Sequence, residues 1–156
     1  MFGLIPLTRD RNNAINAFDT LRFRALRDWG WAKLFRKQTR LASFSEAPRS
    51  SVNRKFVGVQ EIPVEKIIGT IGRENDFDHK FRPLGKHLRE RWVDVFLSFS
   101  TETWPPIRVH KIGEQYYIED GHHRTSVARA IGMAYIPAEI WVMCKVHRRH
   151  SPSAKF

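Results

Sequence analysis

The first pattern in the chain is a run of apolar residues at helical spacing from Asn13 to about Phe44. This stretch contains no proline and one glycine, Gly30. Spacings of three and four residues bring side chains to one face of a helix, so we predict one or two amphipathic helices with a break near Gly30. We expect the apolar stripe to pack on the rest of the protein. Its members are Ile15, Phe18, Leu21, Phe23, Leu26, Trp29, Trp31, Leu34 and Phe35.

Downstream of this stretch, segments with strand-like alternation of apolar and polar residues are interspersed with segments of helical periodicity. Gly113-Glu114 predicts a two-residue hairpin turn, and Gly132 predicts a helix end. In chain order we predict a linker (45–55), a strand (56–62), a short helix from Pro63, a loop (69–83), a helix (84–100), two paired strands (107–112 and 115–119), a helix (122–131) and a strand (136–142).

This order of elements predicts an α+β (mixed α/β) fold, in which a small mixed sheet is flanked by helices. We predict three regions: a basic amphipathic helical arm at residues 1–50, a domain at residues 56–144 and a basic tail at residues 145–156. In the helix predicted at residues 84–100, the inward-facing residues are expected to be Leu88, Trp92, Val95, Phe96 and Phe99.

The basic residues are concentrated in the first third of the chain. The formal net charge is +11. Residues 1–55 contain 12 Lys and Arg against 4 Asp and Glu, whereas residues 56–156 contain 15 against 12. This imbalance predicts attraction to a polyanion, and we expect nucleic acid to be contacted through residues 13–55. The alternatives are an anionic membrane surface and a simple solvated basic face.

Cysteine content and hydropathy indicate the cellular compartment of the protein and whether it spans a membrane. A single cysteine, Cys144, excludes an internal disulfide and is typical of a reducing compartment, so we expect a cytoplasmic protein. No run reaches the roughly 18 apolar residues of a membrane span, and the apolar start lacks the features of a signal peptide. We expect no membrane span, and a homodimer is left open.

The chemistry is predicted to lie at the turn Asp120-Gly121-His122-His123-Arg124. Here a strand ends and a helix begins, so unpaired backbone N–H groups and the positive end of the helix dipole meet at one place. Such a place binds phosphate well. Arg124 can hold phosphate oxygens through two hydrogen bonds, and the hydroxyls of Thr125 and Ser126 are further candidate donors.

A purely structural interpretation of the same turn is that Asp120 caps the helix and that Gly121 only permits the turn. Against it stands the placement of two histidines and an arginine in the first turn. Positive side chains at a helix N-terminus oppose the dipole unless an anion is bound. A local conflict of this kind is typical of a functional site.

The segment from about Val59 to Ile140 resembles the domain shared by ParB partition proteins and sulfiredoxin. The resemblance rests on the stretches 62–67, Gly72-Arg73, 105–109 and 117–128. In that superfamily the last element grips phosphate: ParB proteins bind CTP there and sulfiredoxin binds ATP. The free serine kinases of this fold have an Asp-Gly-His-His-Arg version of the turn. The resemblance therefore implies a nucleotide such as ATP, ADP or CTP, with Mg²⁺ as a further ligand.

The resemblance also implies roles for residues outside the turn. Arg73 would join the phosphate site, and a glutamate upstream would act as the base, for which Glu74 is the candidate. Asp76 and Asp78 are rivals for that role and candidates for holding magnesium. His122 occupies the position of sulfiredoxin's catalytic cysteine, which argues against sulfinic acid repair. About 16 residues follow Ile140, too few for the helix-turn-helix reader of ParB.

Three functions follow from this sequence. The first is a nucleotide-binding module that is DNA-associated or regulatory and uses the basic arm. The alternative is a small-molecule phosphotransferase with Glu74 as base. The last is a ParB-like nuclease, for which the only candidate metal carboxylates are Glu74, Asp76 and Asp78.

Overall fold

In a computed structural model the chain has an α+β fold. The structure describes residues 10–35, 39–43, 52–99 and 103–145. The helices in these ranges are α1 (Arg11–Leu34), α2 (Arg89–Ser98) and α3 (His122–Ile131). The strands are β1 (Ala42–Ser43), β2 (Val52–Pro63), β3 (Ile67–Thr70), β4 (Ile107–Ile112), β5 (Gln115–Asp120) and β6 (Tyr135–Lys145).

The described strands form one mixed sheet in the order β1-β3-β5-β4-β6-β2. β4 and β5 form the predicted antiparallel hairpin, and β2 pairs antiparallel with β6. The three other neighbouring pairs are parallel. β5 consequently lies inside the sheet, between β3 and β4, and its end passes directly into α3. The start of α3 is thus fixed by strands on both sides.

The helices meet the core at Trp92, which is fully buried on α2. The ring of Phe18 from α1 packs edge-on against it, with ring centres 5.8 Å apart. The indole N–H of Trp92 donates to the hydroxyl of Ser126 on α3 over 2.9 Å. The inward face predicted for this helix is confirmed, since Leu88, Val95 and Phe96 are also buried. One tryptophan therefore joins all three helices.

The first helix departs from the sequence prediction. α1 is unbroken at Gly30, and the residues that it buries are mainly alanines: Ala14, Ala17, Phe18, Ala25 and Ala32. Ala14, Phe18, Ala25 and Ala32 recur at spacings that are multiples of a helical turn, so they form one stripe. Small side chains let the helix approach the core closely. Leu26, Trp29, Trp31, Leu34 and Phe35, together with Phe23, are exposed instead, so the predicted inward stripe is wrong for this half of the helix.

Several boundaries also differ from the prediction. β2 begins at Val52, inside the predicted linker, and β3 occupies the first part of the predicted loop. The helix predicted from Leu84 begins as a short 3-10 turn at Lys86 and becomes α-helical at Arg89. Residues 45–51 of the linker and residues 146–156 of the tail lie outside the described residues. None of the described helices combines the length and the apolar character that crossing a membrane requires.

The orientation of α1 can be tested by placing a larger side chain in the buried stripe of alanines. Ala25 is fully buried, so Ala25→Leu should lower the free energy of unfolding by about 1–3 kcal/mol through forced repacking. Leu34→Ala, on the exposed side, should change it by less than about 0.5 kcal/mol. Urea denaturation of both variants measures this. The reverse order of costs would show that the aromatic side faces the core.

Candidate functional site

The site is built around Gly121, which joins β5 to α3. Its backbone is left-handed, with φ 103° and ψ 22°, a conformation that favours glycine. A β-carbon at this position would lie 2.4 Å from Cγ2 of Ile107 on the neighbouring strand. Gly121 is also the N-cap of α3, and no side chain caps the helix. The expectation that Asp120 caps it is therefore wrong: Asp120 ends β5.

A cavity of about 520 Å³ opens at the N-terminal end of α3. It brings together six of the residues predicted from the sequence: Arg73, Asp120, Gly121, His122, His123 and Arg124. Sequence reasoning did not identify the other polar and aromatic residues of its wall, which are Arg91, Asp94, Ser98, Trp104 and Glu119. The first-turn N–H groups of α3 have no acceptor within the helix, so they are available at this end.

Arg124 joins the start of α3 to the segment before β4 and to the end of β5. Its guanidinium donates to the carbonyl of Pro105 and, over 3.1 Å, to that of Pro106. It also donates to the carboxylate of Asp120 over 2.9 Å. Burial is the main cause that lowers the pKa of Arg124. Much of its hydrogen-bonding capacity is thus used to fix the local structure and to neutralise Asp120.

His122 ties α3 to the end of β3. Its Nε2 lies 2.6 Å from the hydroxyl of Thr70, and both side chains are buried. The same hydroxyl accepts from the backbone N–H of Arg73 over 3.3 Å. Burial, followed by the nearby charge of Arg73, lowers the pKa of His122 to about 4. The ring is therefore neutral at pH 7 and positions the loop that carries Arg73.

His123 packs edge-on against Phe77, with ring centres 5.5 Å apart, and Phe77 also stacks on His122. Burial and the charges of Arg73 and Arg91 lower the pKa of His123 to about 4. Its Nδ1 is buried and has no hydrogen-bond partner among the described residues. Since both rings are neutral, they do not oppose the helix dipole, and Arg124, the remaining basic residue of the first turn, is paired with Asp120.

The carboxylates of the cavity wall are already engaged with cations. Asp120 is paired with Arg124, and Asp94 lies 3.6 Å from Arg11. Glu119 accepts from the buried His110 over 2.7 Å and lies 3.5 Å from the guanidinium of Arg54. Burial is the largest single influence on Glu119 and opposes its ionisation, but the hydrogen bond from His110 and the nearby basic groups together lower its pKa. In the wall, Arg91 has no ion-pair partner among the described residues, and Arg73 shares its charge with Asp76, which does not line the cavity. Both arginines favour an anionic ligand.

Two predicted phosphate contacts face away from the cavity. Thr125 is fully buried, and its hydroxyl has no partner among the described residues. Ser126 accepts the indole N–H of Trp92 in the core. Neither residue lines the cavity. Their positions on α3 explain this, because the helix turns each of them toward the sheet and α2.

The three acidic residues of the loop after β3 do not converge on the cavity. Glu74 does not line it, although its Oε2 is buried without a partner among the described residues. Asp76 lies 3.6 Å from Arg73 and 3.5 Å from His87. Asp78 is buried and accepts from the backbone N–H and the guanidinium of Arg82. Asp78 thus holds the loop together.

The arrangement does not support the magnesium site predicted at Asp76 and Asp78. Their carboxylates are directed to different arginines. Within the described ranges, no group of three His, Cys, Asp or Glu side chains is placed to hold a metal ion. A divalent cation would need ligands from the phosphates that it accompanies.

No protein-family model matches the chain, and no curated protein matches it. Among solved structures, the chain is similar to sulfiredoxin from Arabidopsis thaliana, with 23% sequence identity and a TM-score of 0.36. That match covers 53% of this chain and 82% of the sulfiredoxin chain.

The close approach at Gly121 predicts a steep cost for adding one methyl group. Gly121→Ala should lose about 1–2 kcal/mol from the left-handed backbone and about 1–3 kcal/mol more from the clash with Ile107. Gly113→Ala is the matched control, because Gly113 has φ 60° but open space around it. Thermal unfolding of both variants checks this. Equal losses at the two glycines would contradict the close approach.

The lowered pKa values of His122 and His123 predict a dependence of stability on pH. Protonation favours the unfolded state, where histidine has a pKa of about 6.5, over the folded state, where the value is about 4. The free energy of unfolding should therefore fall as the pH drops from about 6.5 to about 4. Histidine proton NMR, assigned with His123→Gln, measures both titrations. A titration near 6.5 for either ring would refute its neutral burial.

Proposed function

We propose that this protein binds the phosphates of a nucleotide in the cavity at the start of α3. One observation carries the proposal. The uncapped first turn of α3 opens into a cavity whose wall carries Arg73 and Arg91, while each of its carboxylates lies beside another arginine. Backbone N–H groups, helix dipole and guanidinium groups all favour negative charge at the same point.

The groups in the wall suit phosphate better than a metal or an apolar ligand. Neutral imidazole can donate or accept a hydrogen bond, and the buried Nδ1 of His123 is available for one. The cavity volume of about 520 Å³ falls within the range of small-molecule sites. Trp104 offers an apolar surface beside the polar wall. This combination favours a ligand with both a phosphate group and a flat ring.

The sequence resemblance to the ParB and sulfiredoxin superfamily supports a nucleotide specifically. The resembling turn, Asp120-Gly121-His122-His123-Arg124, holds nucleotide phosphates in that superfamily, with CTP, ATP or ADP as the ligands implied. Mg²⁺ would enter with the phosphates. In this chain Arg124 is largely committed to Asp120 and to two carbonyls, so we assign the main anion contacts to Arg73, Arg91 and the backbone of α3.

Nucleotide binding predicts a selective rise in melting temperature. A ligand present at a hundred times its Kd stabilises the folded state by about 2.7 kcal/mol. We expect at least one of ATP, ADP, CTP and GTP, with or without Mg²⁺, to raise the Tm of the wild type. The double variant Arg73→Gln/Arg91→Gln should lose this shift, because it removes the two wall arginines that we assign to the phosphates.

Arg89→Gln is the matched control for this experiment. Arg89 lies on α2 two residues before Arg91 but does not line the cavity. It should keep the full shift. A shift that survives in the double variant, or that disappears equally in the control, would place the nucleotide elsewhere. No shift with any of the four nucleotides would remove the proposal.

Phosphoryl transfer is the alternative activity, with Glu74 as base. A buried carboxylate oxygen of Glu74 without a partner among the described residues favours it. Its position outside the cavity wall disfavours it, since a base must reach the hydroxyl that it deprotonates. The nuclease alternative has no metal cluster among the described residues to support it. We therefore rank binding before turnover.

The partner of the basic N-terminal region is a separate question from the ligand of the cavity. A DNA-associated or regulatory module with nucleic acid bound through residues 13–55 is an untested prediction from charge alone. Its signature would be an affinity that falls steeply with salt. The exposed side chains of α1 bear on this question more directly than net charge does.

A further inference from the structure

The second half of α1 exposes a cluster of large apolar side chains, which we call the outer face. Its members are Phe23, Leu26, Trp29, Trp31, Leu34 and Phe35. Phe23, Trp31 and Leu34 are exposed by 67%, 59% and 71%. Soluble proteins seldom leave so many large apolar side chains together on one surface, and such patches mark interaction sites.

The side chains of the outer face are not needed to pack α1 against the rest of the chain. α1 is already held by its alanine stripe and by Phe18, which face the core. Phe23 and Leu34 lie about three turns apart on the side away from Ala25, and Leu26 flanks them; all three are exposed to solvent. The rings of Trp31 and Phe35 stack on each other, 6.1 Å apart. The helix thus has one face for the core and a second apolar face without a described cover.

The charges around the outer face are positive. Arg24, Arg27 and Lys33 are exposed on it, and the ammonium of Lys33 lies 5.4 Å from the ring centre of Trp29. Asp28 is the one acidic residue between positions 20 and 35. Arg82 binds it over 2.9 Å, and Arg27 lies 3.2 Å away. The partner of this face should therefore combine negative charge with an apolar layer.

A depression of about 690 Å³ beside the outer face has the same mixed character. Arg27 and Lys80 line it together with Trp31 and Phe35. Cations next to aromatic rings at the edge of an apolar surface suit a phosphate headgroup whose acyl chains lie alongside. Tryptophan is also enriched where a membrane meets water, because its ring is apolar at one end and can donate a hydrogen bond at the other.

These observations discriminate among the partners that net charge alone allows. A nucleic acid duplex would satisfy the cations but would leave Phe23, Leu26 and Leu34 in contact with phosphates and water. A second copy of the chain would cover the apolar side chains but would bring like charges together at a net charge of +11. A negatively charged lipid surface satisfies both requirements.

We propose that the outer face of α1 docks the protein on an anionic lipid membrane, with the helix lying in the plane of the interface. Phe23, Leu26 and Leu34 enter the boundary between headgroups and acyl chains, and Arg24, Arg27 and Lys33 contact the phosphates. No part of α1 spans the bilayer. The nucleotide cavity lies on other elements and remains open during docking.

Vesicle binding by the full-length protein tests this proposal. Vesicles of phosphatidylcholine mixed with phosphatidylglycerol are compared with vesicles of phosphatidylcholine alone, by co-sedimentation and by tryptophan emission. We expect binding to the anionic vesicles and a blue shift, because Trp29 and Trp31 are exposed whereas Trp92 and Trp104 are buried. High salt should weaken the binding.

Substitutions then distinguish vesicle binding through the outer face from nonspecific adsorption of the protein to vesicles. Phe23→Ser/Leu34→Ser should lower partition by about tenfold or more, since it removes two large apolar contacts. Val57→Ser/Val59→Ser is the matched control, because these valines are exposed on β2 instead. It should bind as the wild type does. Arg24→Gln/Lys33→Gln should lose binding to the anionic vesicles while its Tm stays unchanged.

Three results would overturn the proposal. The first is an absence of binding to anionic vesicles. The second is equal loss in the α1 pair and the β2 pair of variants. The third is binding of duplex DNA, or a dimer in sedimentation analysis, that Phe23→Ser/Leu34→Ser abolishes while vesicle binding persists. The nucleotide-dependent Tm shift is measured on the same variants, so failure here is distinguishable from failure at the cavity.

Discussion

The contact between Gly121 and Ile107 places the end of β5, the start of α3 and the neighbouring strand β4 at one point. The backbone passes so close to Ile107 that a β-carbon does not fit, and its left-handed conformation turns the strand into the helix. The bond from His122 to Thr70 and the bonds from Arg124 to the prolines both require α3 to begin there. Without this approach, the end of β5 and the start of α3 would not be held in the positions that form the cavity wall.

Electrostatics at the cavity are set by burial as much as by residue type. Two histidines that would be partly charged in water become neutral because the core and two arginines surround them. The carboxylates of the wall are paired with Arg11, Arg54 and Arg124. Positive charge remains at the rim, where a ligand can reach it. The positive charge of the cavity wall therefore does not depend on protonated histidine.

Regular local patterns predicted much of the fold. The β4–β5 hairpin, α3 with its Gly132 end and the inward face of α2 follow from spacing and turn residues that act over a few positions. The orientation of α1 does not, because the helix carries two stripes. The larger side chains suggested the wrong one, since close packing against the core favoured the alanines. Hydrophobicity alone does not measure how well a face fits its neighbour.

The amino-acid sequence by itself determined the α+β class and the place of the strand-to-helix turn at Asp120–Arg124, since both depend on local geometry and on residues that are adjacent in the chain. Only the tertiary structure decided which groups share that site. Arg91 and Phe77 join it, whereas Thr125 and Ser126 turn inward and Asp78 is bound to Arg82. These outcomes depend on contacts between distant segments, and the same contacts decided which face of α1 meets solvent.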